Sequence, residues 1–153
     1  MQALRPLAND DLDSVNPLIL RSKAHWGYDA AFIEACRDVL TITSAELINP
    51  SMHCWGVFEA ARPKAEMQLN REDTAKLLDK LFVEPDALGQ GLGRRLYDHA
   101  LDLTRSEGRH RLEIDAEPYA ANFYARCGAV QTGMVASTVT PGRQLPFFVH
   151  TIV

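Results

Sequence analysis

The sequence predicts a single α/β domain whose sheet is mixed, mostly antiparallel, and flanked by helices. Three observations carry this. Three strand-like stretches, residues 53–59, 65–70 and 74–83, follow one another with short turns between them, which implies an antiparallel meander in place of strict strand–helix alternation. Apolar residues recur at helical spacing before the meander (Leu12, Val15, Leu18, Ile19) and after it (Leu92, Leu96, Ala100, Leu103). A chain of 153 residues has the length of one domain with a substantial core.

Composition narrows the functional classes. Hydrophobic residues make up 46% and charged residues 24%, as in ordinary soluble proteins. A net charge of −4 argues against a general nucleic-acid binder, whose affinity rests on neutralising phosphates. Cys36, Cys54 and Cys127 are odd in number, far apart and without a C-x-x-C, which fits a reducing compartment better than a disulfide framework or a zinc site. No apolar run approaches membrane-spanning length and the amino terminus lacks signal-peptide form, so a cytoplasmic protein with no membrane partner is expected. No metal is expected either.

Residues 3–7 read as a first strand. Asn9, Asp10 and Asp11 offer caps for the helix that follows, and Pro17 inside its stripe should bend or interrupt it. The stretch from Arg21 to Tyr28 joins this helix to a second one, capped by Asp29 and packed through Phe32, Ala35, Cys36 and Val39. His25, Trp26 and Tyr28 put an imidazole, an indole and a phenol in that connection. These are the flat walls and polar handles of a small-molecule pocket, or else a packed surface corner. In the meander, Arg62-Pro63-Lys64 is the expected turn between the first two strands. Asp79 and Lys80 interrupt the third strand. A carboxylate there is costly unless paired, solvated or used, so Asp79 is either a general base or half of an ion pair, with Glu84 as the alternative base.

The third strand, through Leu81, Phe82 and Val83, ends at Pro85 and runs into Leu88-Gly89-Gln90-Gly91-Leu92-Gly93-Arg94-Arg95. Glycine permits positive φ and close approach of a ligand to the backbone. Such a loop opening a helix points N–H groups outward at the positive end of the helix dipole, a suitable seat for a phosphate or pyrophosphate. A P-loop would need Lys followed by Ser or Thr, and Arg94-Arg95 stand there instead. A dinucleotide fingerprint would need G-x-G-x-x-G, and neither register supplies its last glycine. Beyond the helix, residues 111–115 alternate as a strand, and Pro118 and Tyr119 begin a short helix ending at Gly128. The chain closes with a β-hairpin around Pro141-Gly142.

The loop and its setting resemble the GNAT superfamily of N-acetyltransferases. Gly91 and Gly93 occupy the two small positions of that family's [Q/R]-x-x-G-x-[G/A] loop, with Leu88 where Gln or Arg is usual. Asn122-Phe123-Tyr124-Ala125-Arg126-Cys127-Gly128-Ala129 resembles its second signature, and Tyr119 holds the place of a cofactor-contacting Asn, with Asn122 nearby but out of register. The resemblance implies a splayed parallel pair made by the strand before the loop and the strand at 111–115, with acetyl-CoA entering the splay. Its pyrophosphate would rest on residues 89–94 and its remainder would run along Leu81, Phe82 and Val83. It implies Tyr124 as proton donor to the departing CoA sulfur, a role for Asp79 as base, and direct transfer to an amine with no covalent acyl-enzyme. In a subset of the family a similar S-K-x-x-W-G-Y loop faces the acceptor, and that subset tends to end in P-G-R-x-L-P. This places His25, Trp26 and Tyr28 beside the acceptor and makes Arg143 either a clamp for an acceptor carboxylate or a solvated turn residue. The expected partner is a small-molecule amine, with a homodimer also in keeping with the family. The alternative is a catalytically silent CoA-binding sensor.

Overall fold

The computed structural model describes residues 2–71 and 75–152. Among them, seven strands form one sheet in the order β1-β2-β3-β4-β5-β7-β6. The strands are β1 (Gln2–Pro6), β2 (Met52–Glu59), β3 (Arg62–Arg71), β4 (Ala75–Val83), β5 (Arg111–Asp115), β6 (Val130–Ala136) and β7 (Gln144–Thr151). The helices are α1 (Leu12–Ala24), α2 (Ala30–Leu40), α3 (Ser44–Ile48), α4 (Leu92–Ser106) and α5 (Ala121–Arg126). The predicted mixed, mostly antiparallel sheet is present, and its parallel contact is β4 with β5. Thr74, at the expected start of the third strand, lies outside the described residues.

The β4–β5 contact positions everything else. Pairing runs from Ala75↔Arg111 to Leu78↔Ile114 and stops there. β4 continues to Val83 against β3 alone, while β5 stays with β7 as far as Asp115↔Phe147. A register shift between Gln68 and Leu69 of β3 falls opposite Asp79, where the strands part. Bulges increase local twist and re-aim side chains, so this one marks the start of the splay.

Two apolar layers hold the sheet. Met67, Leu69, Leu78, Leu112 and Ile114 pack with Leu96 and Tyr97 of α4 on one face. Val15, Ile19, Ile42 and Phe58 pack on the other. In α4 the buried residues Leu92, Leu96, Ala100 and Thr104 recur every fourth position, which keeps one stripe against the sheet. Leu96 is fully buried, so its truncation to Ala should cost about 2–5 kcal/mol.

Several local expectations are corrected. α1 runs through Pro17 without interruption, because Pro17 is exposed and the carbonyl it leaves unbonded belongs to Asp13, itself on the solvent side. Arg21–Ala24 are the last turn of α1, so the connection to α2 is shorter than expected. Asp29 does cap α2, accepting from the Phe32 N–H at 2.8 Å, but Ala35 and Val39 of α2 are exposed and only Cys36 is buried. The β2–β3 turn is Ala60-Ala61, with φ of 50° and 66°, and Arg62-Pro63-Lys64 belongs to β3. A two-residue hairpin turn of this hand needs positive φ at both positions, a requirement that Ala does not announce. β3 is polar because Glu66 and Gln68, both fully buried, alternate with Ala65, Met67 and Leu69 of the α4-side layer.

Candidate active site

Where β4 and β5 part, the structure opens a cavity of about 760 Å³, within the range of small-molecule sites. Asp79, Lys80, Leu81, Phe82 and Val83 of β4 line it, with Asp115 and Glu117 from the end of β5. Among the described residues β4 beyond Leu78 pairs with β3 alone, so backbone groups along its other edge face the splay.

The glycine loop forms part of the same wall through Leu88, Gly89, Gly91, Leu92, Gly93 and Arg94. Gly89 and Gly91 both have φ of +80°, and a Cβ built on either meets nothing within 4 Å. Conformation, and not crowding, therefore selects glycine at these two positions. Gly93 differs: a Cβ there would sit 3.3 Å from the Phe123 ring, so this glycine lets α4 approach α5. Gly91 is the N-cap of α4, and the N–H groups of the first helical turn have no intrahelical acceptor. Leu88 lines the cavity and is exposed. Gln90 and Arg95 are not among its lining residues; both are exposed. Arg94 lines it while bonded to Asp98 at 3.1 Å.

Tyr119, Asn122 and Tyr124 line the cavity from the turn and helix after β5. Tyr124 is buried, packed against the rings of Tyr97, Phe123 and Phe148. Burial pushes its phenol well above the ordinary range, with Tyr97, Cys127 and two carboxylates adding to the effect. The phenol therefore stays protonated across the physiological pH range.

Asp79 is solvent-accessible and bonded to the Lys80 ammonium at 3.2 Å. Lys80, buried, also donates to Gln68 Oε1 at 2.7 Å, and Gln68 donates to Glu46 at 3.0 Å. Both sequence-level alternatives for Asp79 thus remain physically present: it is paired, and it faces the cavity. Glu84 is absent from the lining. It is buried and held by two Arg21 hydrogen bonds of 2.8 and 2.7 Å, which keep its carboxyl below the usual range and make it a poor base.

A second cluster joins α1, the turn after β5 and the β6–β7 hairpin. Lys23 and Tyr28 both donate to the Glu117 carboxylate, and Arg143 Nη2 lies 2.6 Å from the Tyr28 hydroxyl. Trp26 stacks on Tyr119 at 5.6 Å, nearly parallel, and Tyr28 stacks on Phe32 at 4.4 Å. Burial, then the bond to Glu117, pushes the Tyr28 phenol up. Lys23, Trp26, Glu117 and Arg143 line the cavity; Tyr28 stands behind Glu117 and Arg143. His25 does not line it. As the C-cap of α1 it sets its ring edge-on to Trp26 at 5.3 Å.

Sequence reasoning passed over Lys23, Glu117 and Arg126 as site residues, and all three line the cavity. Lys23 and Glu117 are 94 residues apart, so only the fold pairs them. A signal for Glu117 existed: a carboxylate directly before Pro118 is a helix-start cap, and its side chain accepts from the Tyr119 N–H.

A mixed sheet with one splayed parallel pair, a glycine loop opening a helix beside the splay and a buried phenol in the gap define the architecture of the acetyl-CoA-dependent N-acetyltransferases. The solved structures agree at the level of fold. A PaiA N-acetyltransferase from Thermoplasma acidophilum, solved in complex with coenzyme A, superposes with a TM-score of 0.80 at 15% identity, covering 99% of each chain. A GCN5-related N-acetyltransferase from Rhodopseudomonas palustris superposes with a TM-score of 0.83 at 22% identity, over 99% of this chain and 96% of that one. The family model for the acetyltransferase (GNAT) domain matches residues 24–138, and the chain belongs to that family. Among curated proteins it is 37% identical over 60 residues to a peptidyl-lysine N-acetyltransferase, YjaB, of Salmonella typhimurium. That match covers 39% of this chain and 40% of the relative. It is 28% identical over 57 residues to a probable glucosamine 6-phosphate N-acetyltransferase 2 of Oryza sativa subsp. japonica, covering 37% of this chain and 34% of that one.

Proposed function

We propose that the protein transfers an acetyl group from acetyl-CoA to the primary amine of a small-molecule acceptor, by direct attack in a ternary complex. The observation that carries this reading is the cavity in the β4–β5 splay, lined at once by the left-handed glycines that open α4 and by the buried hydroxyl-bearing Tyr124. The residues present suit the donor. Open space over Gly89 and Gly91 and the first-turn N–H groups of α4 can receive a pyrophosphate, with Arg94 and Arg126 adding charge. The unpaired edge of β4, from Lys80 to Val83, can hydrogen-bond an amide-bearing arm laid in the splay.

Chemistry then follows from the chain's own groups. An aliphatic amine with a pKa near that of lysine, about 10.4, is mostly protonated at neutral pH, so a base must take its proton. Asp79, facing the cavity, is assigned that task directly or through water. Nitrogen attack on the thioester carbonyl forms the C–N bond. A backbone N–H of the β4 edge stabilises the oxyanion, and collapse breaks the C–S bond. Tyr124, kept protonated by burial, donates its hydrogen bond or proton to the thiolate that leaves. No acyl-enzyme is required, and the three buried cysteines have no role in this scheme.

The test is calorimetric titration with acetyl-CoA, with ATP alongside, on the parent protein and on Gly91→Asp. Micromolar binding of acetyl-CoA, none of ATP, and loss of binding in a folded Gly91→Asp protein are expected. Thiol release on an amine panel then separates an enzyme from a sensor, since a sensor would bind acetyl-CoA and release no CoA. Retention of full affinity by Gly91→Asp would remove the loop from the site.

A further inference from the structure

We infer that the acceptor is a small zwitterion, an amine that also carries a carboxylate, and that Arg143 is the residue that reads the carboxylate. This rests on the acetyl-transfer reading above and names the substrate class within it.

The inference starts from how the charges of the cavity are paired. Away from Arg94 and Arg126, the lining residues include three cations, Lys23, Lys80 and Arg143, and three carboxylates, Asp79, Asp115 and Glu117. A wall with this balance favours neither a polycationic nor a polyanionic guest; a guest with one charge of each sign matches it. Two of the cations are already engaged with carboxylates, Lys23 with Glu117 and Lys80 with Asp79. Arg143 is not. Among the described residues its side chain has one polar partner, the Tyr28 hydroxyl at 2.6 Å, and no carboxylate within ion-pair distance. A guanidinium has five N–H donors in a planar fork, so most of them remain for a guest.

Arg143 is also held ready. Its guanidinium carbon lies 4.9 Å from the centre of the Phe32 ring and 5.2 Å from that of Tyr28. Its backbone closes a turn in which Arg143 N–H donates to Thr140 carbonyl at 3.1 Å and Ser137 N–H donates to the Arg143 carbonyl at 2.8 Å. Pro141 followed by Gly142 at φ of +80° is the geometry that turn demands. A cation fixed by two ring faces and a stiff turn loses little freedom on binding, which favours a bidentate contact with a planar oxyanion. A carboxylate is the match for one uncompensated charge; a phosphate dianion would bring a second charge, and the other two cations of this part of the wall, Lys23 and Lys80, are already paired. The amine of such a guest would then turn toward the carboxylates of the same wall, where Asp79 is the assigned base.

The experiment pairs amino acids with the amines that lack only the carboxylate: leucine with isoamylamine, phenylalanine with phenethylamine, lysine with cadaverine, β-alanine with ethylamine. Glucosamine 6-phosphate and an end-blocked lysine peptide complete the panel. Each is assayed for CoA release and, separately, for binding to the protein saturated with CoA, using the parent, Arg143→Gln and Arg143→Lys. At least one amino acid should exceed its decarboxylated partner by on the order of tenfold to a hundredfold in kcat/KM, mainly through KM, the size expected of a charge-assisted bidentate contact. That ratio should collapse toward one in Arg143→Gln and recover only partly in Arg143→Lys, which keeps the charge and loses the fork. Unchanged acetyl-CoA affinity in both variants shows that the fold survives. Turnover with no preference for the carboxylate, or a preference indifferent to Arg143, overturns the inference and leaves the acetyl-transfer reading intact; so does a better rate with the sugar phosphate or the blocked peptide. Carboxylate-dependent binding that needs Arg143, without CoA release, upholds Arg143 as the carboxylate reader but overturns the enzyme reading, and with it the assignment of the bound zwitterion as an acceptor.

Discussion

β4 and β5 are the same two strands at both ends of their contact, yet the ends are built in opposite ways. From Ala75 to Leu78 the pair is closed: its hydrogen bonds are made, Leu78, Leu112 and Ile114 are buried, and even Lys76 is fully buried, its ammonium 2.6 Å from Glu107. From Asp79 onward the pair is open: the ladder ends, charged residues line a cavity, and the glycine loop before α4 forms part of its wall. The closed end supplies the stability that lets the open end carry unpaired backbone and concentrated charge. A substitution at one end should leave the property of the other untouched, and this separation can be tested.

The largest effect belongs to the open end. Tyr124→Phe removes the hydroxyl and keeps the ring that packs on Tyr97, Phe123 and Phe148. Turnover should fall by about 10²–10⁴, the usual worth of a positioned acid, with acetyl-CoA affinity and melting temperature little changed. Because burial keeps the phenol protonated, the loss should be the same from pH 6 to 9 in a pH–rate profile. Turnover equal to that of the parent would withdraw the assigned role.

Next comes the closed end. Glu107→Ala strands the fully buried Lys76 ammonium and also removes the partner of His53 at 3.1 Å. Orphaning a buried charge costs about 3–5 kcal/mol, and the low end, about 3 kcal/mol, applies here because water already reaches Glu107. Denaturant unfolding should show this as a lower midpoint at constant slope, while the folded fraction keeps its acetyl-CoA affinity. A second change, Lys76→Met, should recover most of the loss.

Glu66 lies beside the open end, on β3 opposite Phe82, and tests that end by pH. It is fully buried, neither oxygen has a hydrogen-bond partner among the described residues, and burial pushes its pKa up to about 8, with Lys80 pulling the other way. A raised acid pKa means that the native state holds a proton which the unfolded chain, titrating near 4.5, has released. Stability contributed by this group is therefore complete below about pH 4.5 and declines as pH rises toward about 8, at up to about 1.4 kcal/mol per unit. Glu66→Met should flatten that slope and stabilise the protein above pH 5. Urea midpoints across pH 5–9 measure it, and a slope that survives the substitution assigns the titration elsewhere.

What was legible before the structure follows the same division. Features set by neighbours in sequence were readable: the glycine loop and its helix, Tyr124 within its signature, Asp29 as a cap and the Pro-Gly turn. Features that depend on residues far apart were not. Lys23 meets Glu117, and Gln68 answers Glu46 and Lys80, only after the sheet, α1 and α3 come together, so half of the charged cluster went unassigned. α3 is a different kind of miss. Thr43 and Glu46, three residues apart and directly before the apolar pair Leu47-Ile48, form a reciprocal capping box, a local signal that could have been read. The Ala60-Ala61 turn had no such signal, and Arg62-Pro63-Lys64 drew the turn away from it.

The smallest expected effect sharpens the open end itself. Leu88 stands where related loops carry Gln or Arg, and the structure places it on the cavity wall, 44% exposed, just before the left-handed Gly89. An exposed leucine there offers apolar contact and no donor, so in the proposed donor complex phosphate recognition would fall to the backbone N–H groups and to Arg94 and Arg126. Leu88→Gln should add one neutral hydrogen bond to the donor, worth about 0.5–1.5 kcal/mol net, and so tighten acetyl-CoA binding by roughly two- to tenfold. Leu88→Arg should gain more at low ionic strength, and the extra gain should fade as salt screens an exposed charge. Because Leu88 stands at the loop and not beside Arg143, neither change should alter the ratio of an amino acid to its decarboxylated amine. Titration of both variants at two salt concentrations, followed by that ratio, separates donor binding from acceptor choice; a shift in the ratio would mean that the glycine loop and the Arg143 cluster act as one site.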